Sequence, residues 1–252
     1  MRKEHVQAIE KEFRNCVKNT LTRLSKSAVH KPFHEALLSR EAVLWSAFER
    51  SFSTSFGQRA IEEITKISAI SGGSAGAQRQ KVSEFDLDAG QLRRIDQHLS
   101  ALRHNSLGRQ VNWCHDLAWV REAAVTGELD RQRVISDFWF QKDGIENFVS
   151  IKTVKPNIDQ TVVAKQDMLK LKLAFPESKV YFGLYYNPYG EARSEYAWSP
   201  PSRVFDMQSD EVILIGNDYW DTIGGAGTYD TILKIVRQVG EEPKSRLEGL
   251  YD

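Results

Sequence analysis

Two short runs rich in aromatic and β-branched residues, separated by Asp143-Gly144, constrain the fold of this chain more than any other feature. An Asp-Gly pair between two such runs is typical of the tight turn of a β-hairpin. The sequence therefore predicts one strand over 134–140 and a second strand over 146–152. Lys152 closes the second strand, so the hairpin brings a lysine to the end of a sheet, beside the strand that precedes it.

The first strand of the hairpin carries Asp137, which we expect on the same face as Ser150 and Lys152 because side chains alternate along a strand. A carboxylate and an ammonium that meet beside the end of a sheet are the arrangement of a metal-dependent nuclease core, written PD-(D/E)xK. This chain departs from that motif, because Ser150 stands where an acid is usual. The pattern therefore needs a second acid from elsewhere.

The segment after the hairpin has the composition of a helix over 158–175, with a breaker and helix start at 155–157. On the helical period, Asp167 lies in the middle of the apolar face, and Gln160 lies in line with it two turns earlier. A buried carboxylate needs a cation or several hydrogen-bond donors. A divalent metal shared with Asp137 would meet that need. The alternative is an aspartate bound by a neighbouring lysine or by backbone amides.

At these residues the sequence resembles a known family. The run 150–161, with 164–167 following it, resembles the core of TdeIII-type type II restriction endonucleases. The segment 49–57 resembles that family's N-terminal helical motif, and 218–225 with 227–229 resembles its C-terminal motif. The resemblance spans most of the chain. It implies magnesium-dependent cleavage of double-stranded DNA at a short GC-containing palindrome of the GGNCC kind, which leaves 5′-phosphates.

A palindromic target implies a homodimer, since identical half-sites need identical readers. At each centre we expect Asp137, Asp167 and the backbone carbonyl of Ile151 to hold Mg²⁺, a hard cation that takes oxygen ligands. We expect Lys152 to stabilise the charge that grows on the scissile phosphate, and Ser150 to hydrogen-bond a water in the site. Within the wider nuclease superfamily, a serine before the lysine, with the acid moved to the next helix, is a recognised variant.

Three glutamates are further candidates for this centre. Glu49 belongs to the segment that resembles the family's N-terminal motif, and Glu63 shares its helical face if the helix continues. Two carboxylates on an otherwise apolar face could orient a water or a basic side chain. For Glu63 an ion pair across a helix contact is the favoured interpretation. Glu146, at the exit of the hairpin turn, is a weaker substitute for the missing acid.

The net charge of +0 argues mildly against a nucleic-acid protein, but the distribution of charge matters more than its sum. Lysines crowd the region around the proposed centre, where some could hold phosphates. The run 103–109 is predicted to be an exposed loop with several hydrogen-bond donors. The candidate DNA contacts are Lys155, Gln160, Lys165, Arg103, Asn105 and Arg109.

We expect an α/β fold in which helices flank a mixed central sheet, and the resemblance implies that the fold is restriction-endonuclease-like. A helical N-terminal region covers 1–70, a flexible loop covers 71–80, and the nuclease core covers 81–252 in one compact domain with the N-terminal helices. The remaining elements that the sequence predicts are helices over 3–24, 32–70, about 87–102 and 229–239, and strands over 180–186 and 212–215.

Composition limits the class of protein. The chain is 41% hydrophobic, which is enough for a packed core, and it has neither a membrane-spanning apolar run nor a signal-peptide pattern. Its two cysteines, Cys16 and Cys114, have no metal-binding or disulfide spacing. A reducing cytoplasm is therefore the expected location.

Four other interpretations remain open. The serine at Ser150 fits a non-catalytic DNA- or protein-binding module built on a decayed nuclease core. A repair or recombination nuclease of the same superfamily would share the motif. The glycine-rich run 223–228 resembles a phosphate-binding loop before a helix, although it lacks the P-loop lysine. His30 and His34 have the spacing of a helical metal pair, with no third ligand nearby.

Overall fold

The computed structural model describes residues 1–26 and 32–248, and it places one mixed five-stranded sheet at the centre of the chain. The strands lie in sequence order across the sheet, with the first three antiparallel and the last two joined in parallel. The strands are β1 (Gly76–Asp88), β2 (Leu129–Lys142), β3 (Ile145–Lys152), β4 (Lys179–Leu184) and β5 (Ile213–Ile215). The α/β architecture predicted from the sequence is confirmed.

Helices cover both faces of this sheet. They are α1 (Lys3–Lys26), α2 (Pro32–Leu37), α3 (Arg40–Ser55), α4 (Ile61–Ser71), α5 (Ala89–Arg103), α6 (Trp113–Arg121), α7 (Ile158–Ala174), α8 (Ser199–Ser202), α9 (Asn217–Gly224) and α10 (Thr228–Glu248). The helix expected over 32–70 is interrupted twice. Ser39 starts α3 by accepting a hydrogen bond from the Ala42 amide, and a π-helical turn at Phe56–Ala60 separates α3 from α4.

The predicted hairpin is confirmed. Asp143 and Gly144 both have positive φ, 52° and 77°, as the tightest hairpin turns require. They join β2 to β3 with Lys142 opposite Ile145 and Phe138 opposite Val149. This register follows directly from the length of the turn.

Two apolar clusters lie on the two faces of the sheet. Phe148 of β3 packs in the cluster that contains Leu169 of α7, whereas Val149 and Ile151 pack in the cluster that contains Tyr219 of α9. Alternate residues of β3 therefore face opposite layers, as the period of a strand predicts. Lys152 follows Ile151, so it belongs to the face that α7 covers.

The prediction of a flexible loop over 71–80 is wrong for residues 76–80, because Gly76 begins β1. The polar start of this strand hid it, since its pairing with β2 does not depend on an apolar pattern. Within β1, Gln80 has a positive φ of 47°, and both Arg79 and Gln80 hydrogen-bond Glu62 of α4. The side chains of β1 therefore stop alternating between the two faces of the sheet at this point.

Two other sequence features have a structural outcome. The glycine-rich run 223–228 joins α9 to α10 and follows a helix, whereas a phosphate-binding P-loop follows a strand. The nucleotide-enzyme interpretation is therefore wrong. His34 is exposed on α2, while His30 lies outside the described residues. No described helix has the length and apolarity needed to cross a membrane.

Candidate active site

The candidate active site lies where β2 and β3 separate. The last pair of residues in this ladder is Phe138 opposite Val149. Beyond it, the side chain of Asp137 accepts the hydrogen bonds that reach β2 from the end of β3. Its Oδ2 accepts hydrogen bonds from the backbone amide of Ile151 at 2.8 Å and from Nζ of Lys152 at 2.8 Å. The predicted meeting of Asp137 and Lys152 is thus present in the structure.

Asp167 reaches the same place from α7. Asn157 caps this helix, and the side chain of Gln160 accepts a hydrogen bond from the Asn157 amide at 3.1 Å, which completes a capping box.

Burial raises the pKa of Asp167, the charges of Lys170 and Lys152 oppose that rise, and the charge of Asp137 adds to it. Asp137, Lys152 and Asp167 are therefore electrostatic neighbours, although they come from three elements.

The carboxylate of Asp167 accepts no hydrogen bond from any described residue, despite being half-buried. A half-buried carboxylate without a donor, beside the second carboxylate of Asp137, is a suitable environment for a divalent cation. Among the described residues there is no group of three or more His, Cys, Asp or Glu side chains that could hold a metal. Two carboxylates with water suit Mg²⁺, which keeps several water ligands, so the residues fit this ion.

Ser150 and Ile151 lie beside this pair of acids. Ser150 is half-buried and lies opposite Phe182 of the parallel strand β4. The amide of Ile151 orients Asp137, and its carbonyl remains the expected third oxygen ligand. Both residues thus occupy the strand end where the sequence analysis expected them.

Lys165 lies away from the expected DNA surface, which corrects its assignment as a DNA contact. Its ammonium is completely buried, where it pairs with Asp116 of α6 and donates to the carbonyl of Val204. Burial lowers the pKa of Lys165, and the charge of Asp116 opposes that shift. An enclosed ammonium with two partners cannot reach a phosphate, so Lys165 is a structural residue.

Asp116 is also buried, and it binds more than one cation. Burial would raise its pKa, but the adjacent His98 and the charge of Lys165 outweigh burial and lower the pKa to about 2. Arg109 also pairs with this carboxylate. Arg109 therefore anchors its loop to the core, and this ion pair competes with the DNA contact expected for Arg109.

Two of the other candidate DNA contacts, Asn105 and Arg103, lie at or beside a surface cleft of about 470 Å³. Asn105 lines this cleft and is exposed, with a positive φ of 55°. Arg103 lies beside it and forms an exposed ion pair with Asp159, at 3.7 Å between Nε and Oδ1. The Oε1 atom of Gln160 is used by the capping box, so it serves the helix start.

The three glutamates have separate partners. Glu49 is exposed on α3 and accepts a hydrogen bond from Ser53 at 2.7 Å; no described bond joins it to the candidate site. Glu63 forms the expected ion pair, with Arg79 at 2.9 Å, but its partner lies on strand β1 and not on another helix. Glu146 accepts a hydrogen bond from the indole of Trp139 at 3.1 Å.

Sequence reasoning missed the acid that lies behind the site. Glu62 is 8% exposed, and its carboxylate accepts hydrogen bonds from Arg79 and Gln80. Burial raises the pKa of Tyr219, and the charges of Asp137 and Glu62 raise it further. The signal that could have revealed Glu62 is its position next to Glu63 on an apolar helix.

A mixed five-stranded sheet flanked by helices, with an aspartate and a lysine paired at a strand end, is consistent with the restriction-endonuclease fold. The family model described as type II restriction endonuclease, HinfI, matches residues 1–240. The chain belongs to this family, whose members are site-specific deoxyribonucleases. The narrower resemblance to the TdeIII type is not confirmed.

The relatives carry consistent names, and all three come from Herpetosiphon aurantiacus. Type II restriction enzyme HgiEI is 31% identical over 235 residues, which is 91% of this chain and 84% of the relative. HgiBI is 31% identical over 86% of this chain and 80% of its own length. HgiCII is 28% identical over 92% of this chain and 85% of its own length. No solved structure matches the chain significantly.

Proposed function

We propose that this restriction endonuclease uses Mg²⁺ to cleave double-stranded DNA at a short palindrome and leaves 5′-phosphates, with Asp137, Lys152 and Asp167 as its catalytic centre. The observation that carries the proposal is the paired hydrogen bonding of Asp137 to Ile151 and Lys152, beside the donor-free carboxylate of Asp167. This arrangement supplies two anionic oxygens and one fixed ammonium at a strand end.

Asp137 and Asp167 would hold Mg²⁺, together with the backbone carbonyl of Ile151. When bound, the ion polarises the scissile phosphate and stabilises the leaving oxygen. The chain prepares this site by orienting Asp137 through the Ile151 amide and by carrying Asp167 on a capped helix. The acid that is absent at Ser150 is thus supplied by α7.

Lys152 acts on the reacting phosphate. Its ammonium is held 2.8 Å from Asp137 Oδ2, so the side chain is already ordered in one conformation when the phosphate binds. There it stabilises the charge that develops during attack by water. Ser150, on the same face of the strand, is proposed to hydrogen-bond a water in the site.

DNA binding is proposed for three exposed residues. Lys155 follows the catalytic strand, and Arg103 and Asn105 lie at or beside the surface cleft. A palindromic target requires two copies related by a two-fold axis, so we propose a homodimer. A cytoplasmic location remains a prediction.

The test is digestion of a plasmid of known sequence with Mg²⁺, followed by sequencing of the ends. We expect discrete fragments whose ends share one palindrome, of the GGNCC kind if the TdeIII resemblance extends to the target. The ends should ligate without prior phosphorylation, as 5′-phosphates do. A chelator and the Asp137→Ala variant are the controls.

One further candidate function has an observation in its favour. Ser150 replaces the usual acid, as it would in a DNA-binding module built on a decayed nuclease core. Such a module would bind one DNA sequence and leave the plasmid intact at every Mg²⁺ concentration. Binding without cutting by the folded protein would therefore favour the module over the nuclease.

A further inference from the structure

Lys155 lies on two aromatic rings immediately beyond the catalytic strand. Its Nζ is 5.2 Å from the ring centroid of Tyr189 and 5.6 Å from that of Trp198. The lysine is exposed, and it forms no ion pair with any carboxylate of the described residues. Its charge is therefore stabilised by ring faces and remains available to an anion.

The aromatic cluster is tied to the chain on both sides of Lys155. The indole of Trp198 donates to the carbonyl of Pro156 at 2.8 Å, and the hydroxyl of Tyr196 donates to the carbonyl of Val154 at 2.9 Å. Tyr189 packs edge-on against Tyr196, with 5.9 Å between the ring centroids. The rings therefore hold a fixed position relative to the end of β3.

We infer that Tyr189 and Trp198 are positioning residues that hold the Lys155 ammonium against one DNA backbone phosphate close to the scissile one. The inference rests on the proposed DNA cleavage. Lys155 follows Lys152 by three residues, so their Cα atoms lie at most about 11 Å apart. At about 3.4 Å of rise per nucleotide, the phosphate lies within roughly three nucleotides of the cut.

Ring faces suit this task better than a carboxylate would. A lysine on a flexible stem loses rotamer freedom when it binds a phosphate, and a prior contact lowers that loss. A carboxylate partner would also neutralise the ammonium and compete with the DNA. A cation–π contact orients the ammonium and leaves its full charge for the phosphate.

A double-mutant cycle tests the link between the ring and the lysine. Duplex affinity is measured over a range of salt concentrations, without Mg²⁺, for the parent, Lys155→Ala, Tyr189→Leu and the double variant. We expect Lys155→Ala to weaken binding about tenfold or more and to reduce the salt slope by about one. We expect Tyr189→Leu to weaken binding about two- to fivefold.

The decisive result is the double variant. If Tyr189 acts through Lys155, then adding Tyr189→Leu to the Lys155→Ala variant should cause no further loss of duplex affinity. Tyr186→Leu is the matched control, because Tyr186 is 40% exposed and Tyr189 is 39% exposed. Trp198→Phe keeps a ring beneath the ammonium and removes the donor to Pro156, so comparison with Trp198→Leu separates the ring contact from the hydrogen bond.

The phosphate itself can be located with neutral methylphosphonate linkages placed one at a time on each side of the cut. The parent should lose affinity at one position within three nucleotides, and Lys155→Ala should lose nothing further there. Additive losses for Lys155→Ala and Tyr189→Leu, or no position-specific effect, would overturn this inference while leaving the nuclease intact. A folded parent that binds no DNA would instead overturn the proposed function and this inference together.

Discussion

The ammonium of Lys152 and the carboxylate of Asp137 meet at a single oxygen, Oδ2, which also accepts the backbone amide of Ile151. No described residue hydrogen-bonds the other oxygen, Oδ1. The two donors thus fix the orientation of the carboxylate and leave Oδ1 for a cation. The contact joins two strands at the point where their backbone pairing ends.

Lys152→Ala and Asp137→Ala should each reduce the cleavage rate by about 100-fold or more, because they remove groups that act on the scissile phosphate. Both variants should fold and keep most of their specific binding. Single-turnover cleavage and metal-free binding assays measure the two effects separately. Lys179→Ala is the control, since Lys179 lies at the opposite end of the β3–β4 pair. Parental cutting by either variant would remove the nuclease centre from this hairpin.

Asp167→Asn should abolish cleavage and weaken Mg²⁺ binding while preserving or increasing stability without metal. The reason is that burial disfavours the charged carboxylate of Asp167, as its raised pKa shows. Urea unfolding without metal and Mg²⁺ titration followed by calorimetry are the measurements. A structural ion-pair role for Asp167 predicts the reverse, namely lower stability with activity retained in the folded fraction.

The raised pKa of Asp167 also has a consequence for pH. In metal-free protein the folded state holds this proton more tightly than the unfolded state, so the Asp167 contribution to stability is greatest at low pH and is lost as pH rises through the raised pKa. Mg²⁺ binding needs the deprotonated form and should strengthen over the same interval. As pH rises over this interval, the free energy of unfolding of the metal-free protein should therefore fall while the affinity for Mg²⁺ rises. Asp167→Asn should show neither change.

Moving the acid back to its usual place offers a test of compensation. Asp167→Ala should be inactive, and Ser150→Glu in the same chain should recover part of the activity, because the new carboxylate lies beside Lys152 on one strand face. The two variants are compared at saturating Mg²⁺ in a single-turnover assay. Equal inactivity of both, with both folded and binding DNA, would show that the carboxylate position is not interchangeable.

Lys165→Ala should destabilise the protein by about 3–5 kcal/mol, because it deprives the buried carboxylate of Asp116 of its enclosed partner. The pKa of Asp116, lowered from 3.8 to about 2, means that its contribution is present above about pH 4 and is lost as pH falls toward 2. Chemical denaturation and acid unfolding measure these effects. Lys179→Ala is again the control. A stable Lys165→Ala variant with weakened DNA binding would contradict the structural assignment.

The sequence by itself determined the features that depend on local backbone preferences. Asp143-Gly144 specified the turn, and a two-residue turn sets the register of β2 against β3. Alternation then placed Lys152 on the face that meets Asp137. Asn157 and Gln160 specified the start of α7, which set the rotation of Asp167 toward the sheet.

Only the tertiary structure decided what surrounds each side chain. Lys165 and Asp167 are two residues apart on α7, and the sequence predicted the lysine to be exposed and the aspartate to be buried. The lysine is instead enclosed, because α6 supplies Asp116 and a distant loop supplies the carbonyl of Val204. Partners so far apart in the chain leave no local pattern. The energy of a buried charge depends on such partners, and they come together only when the chain folds.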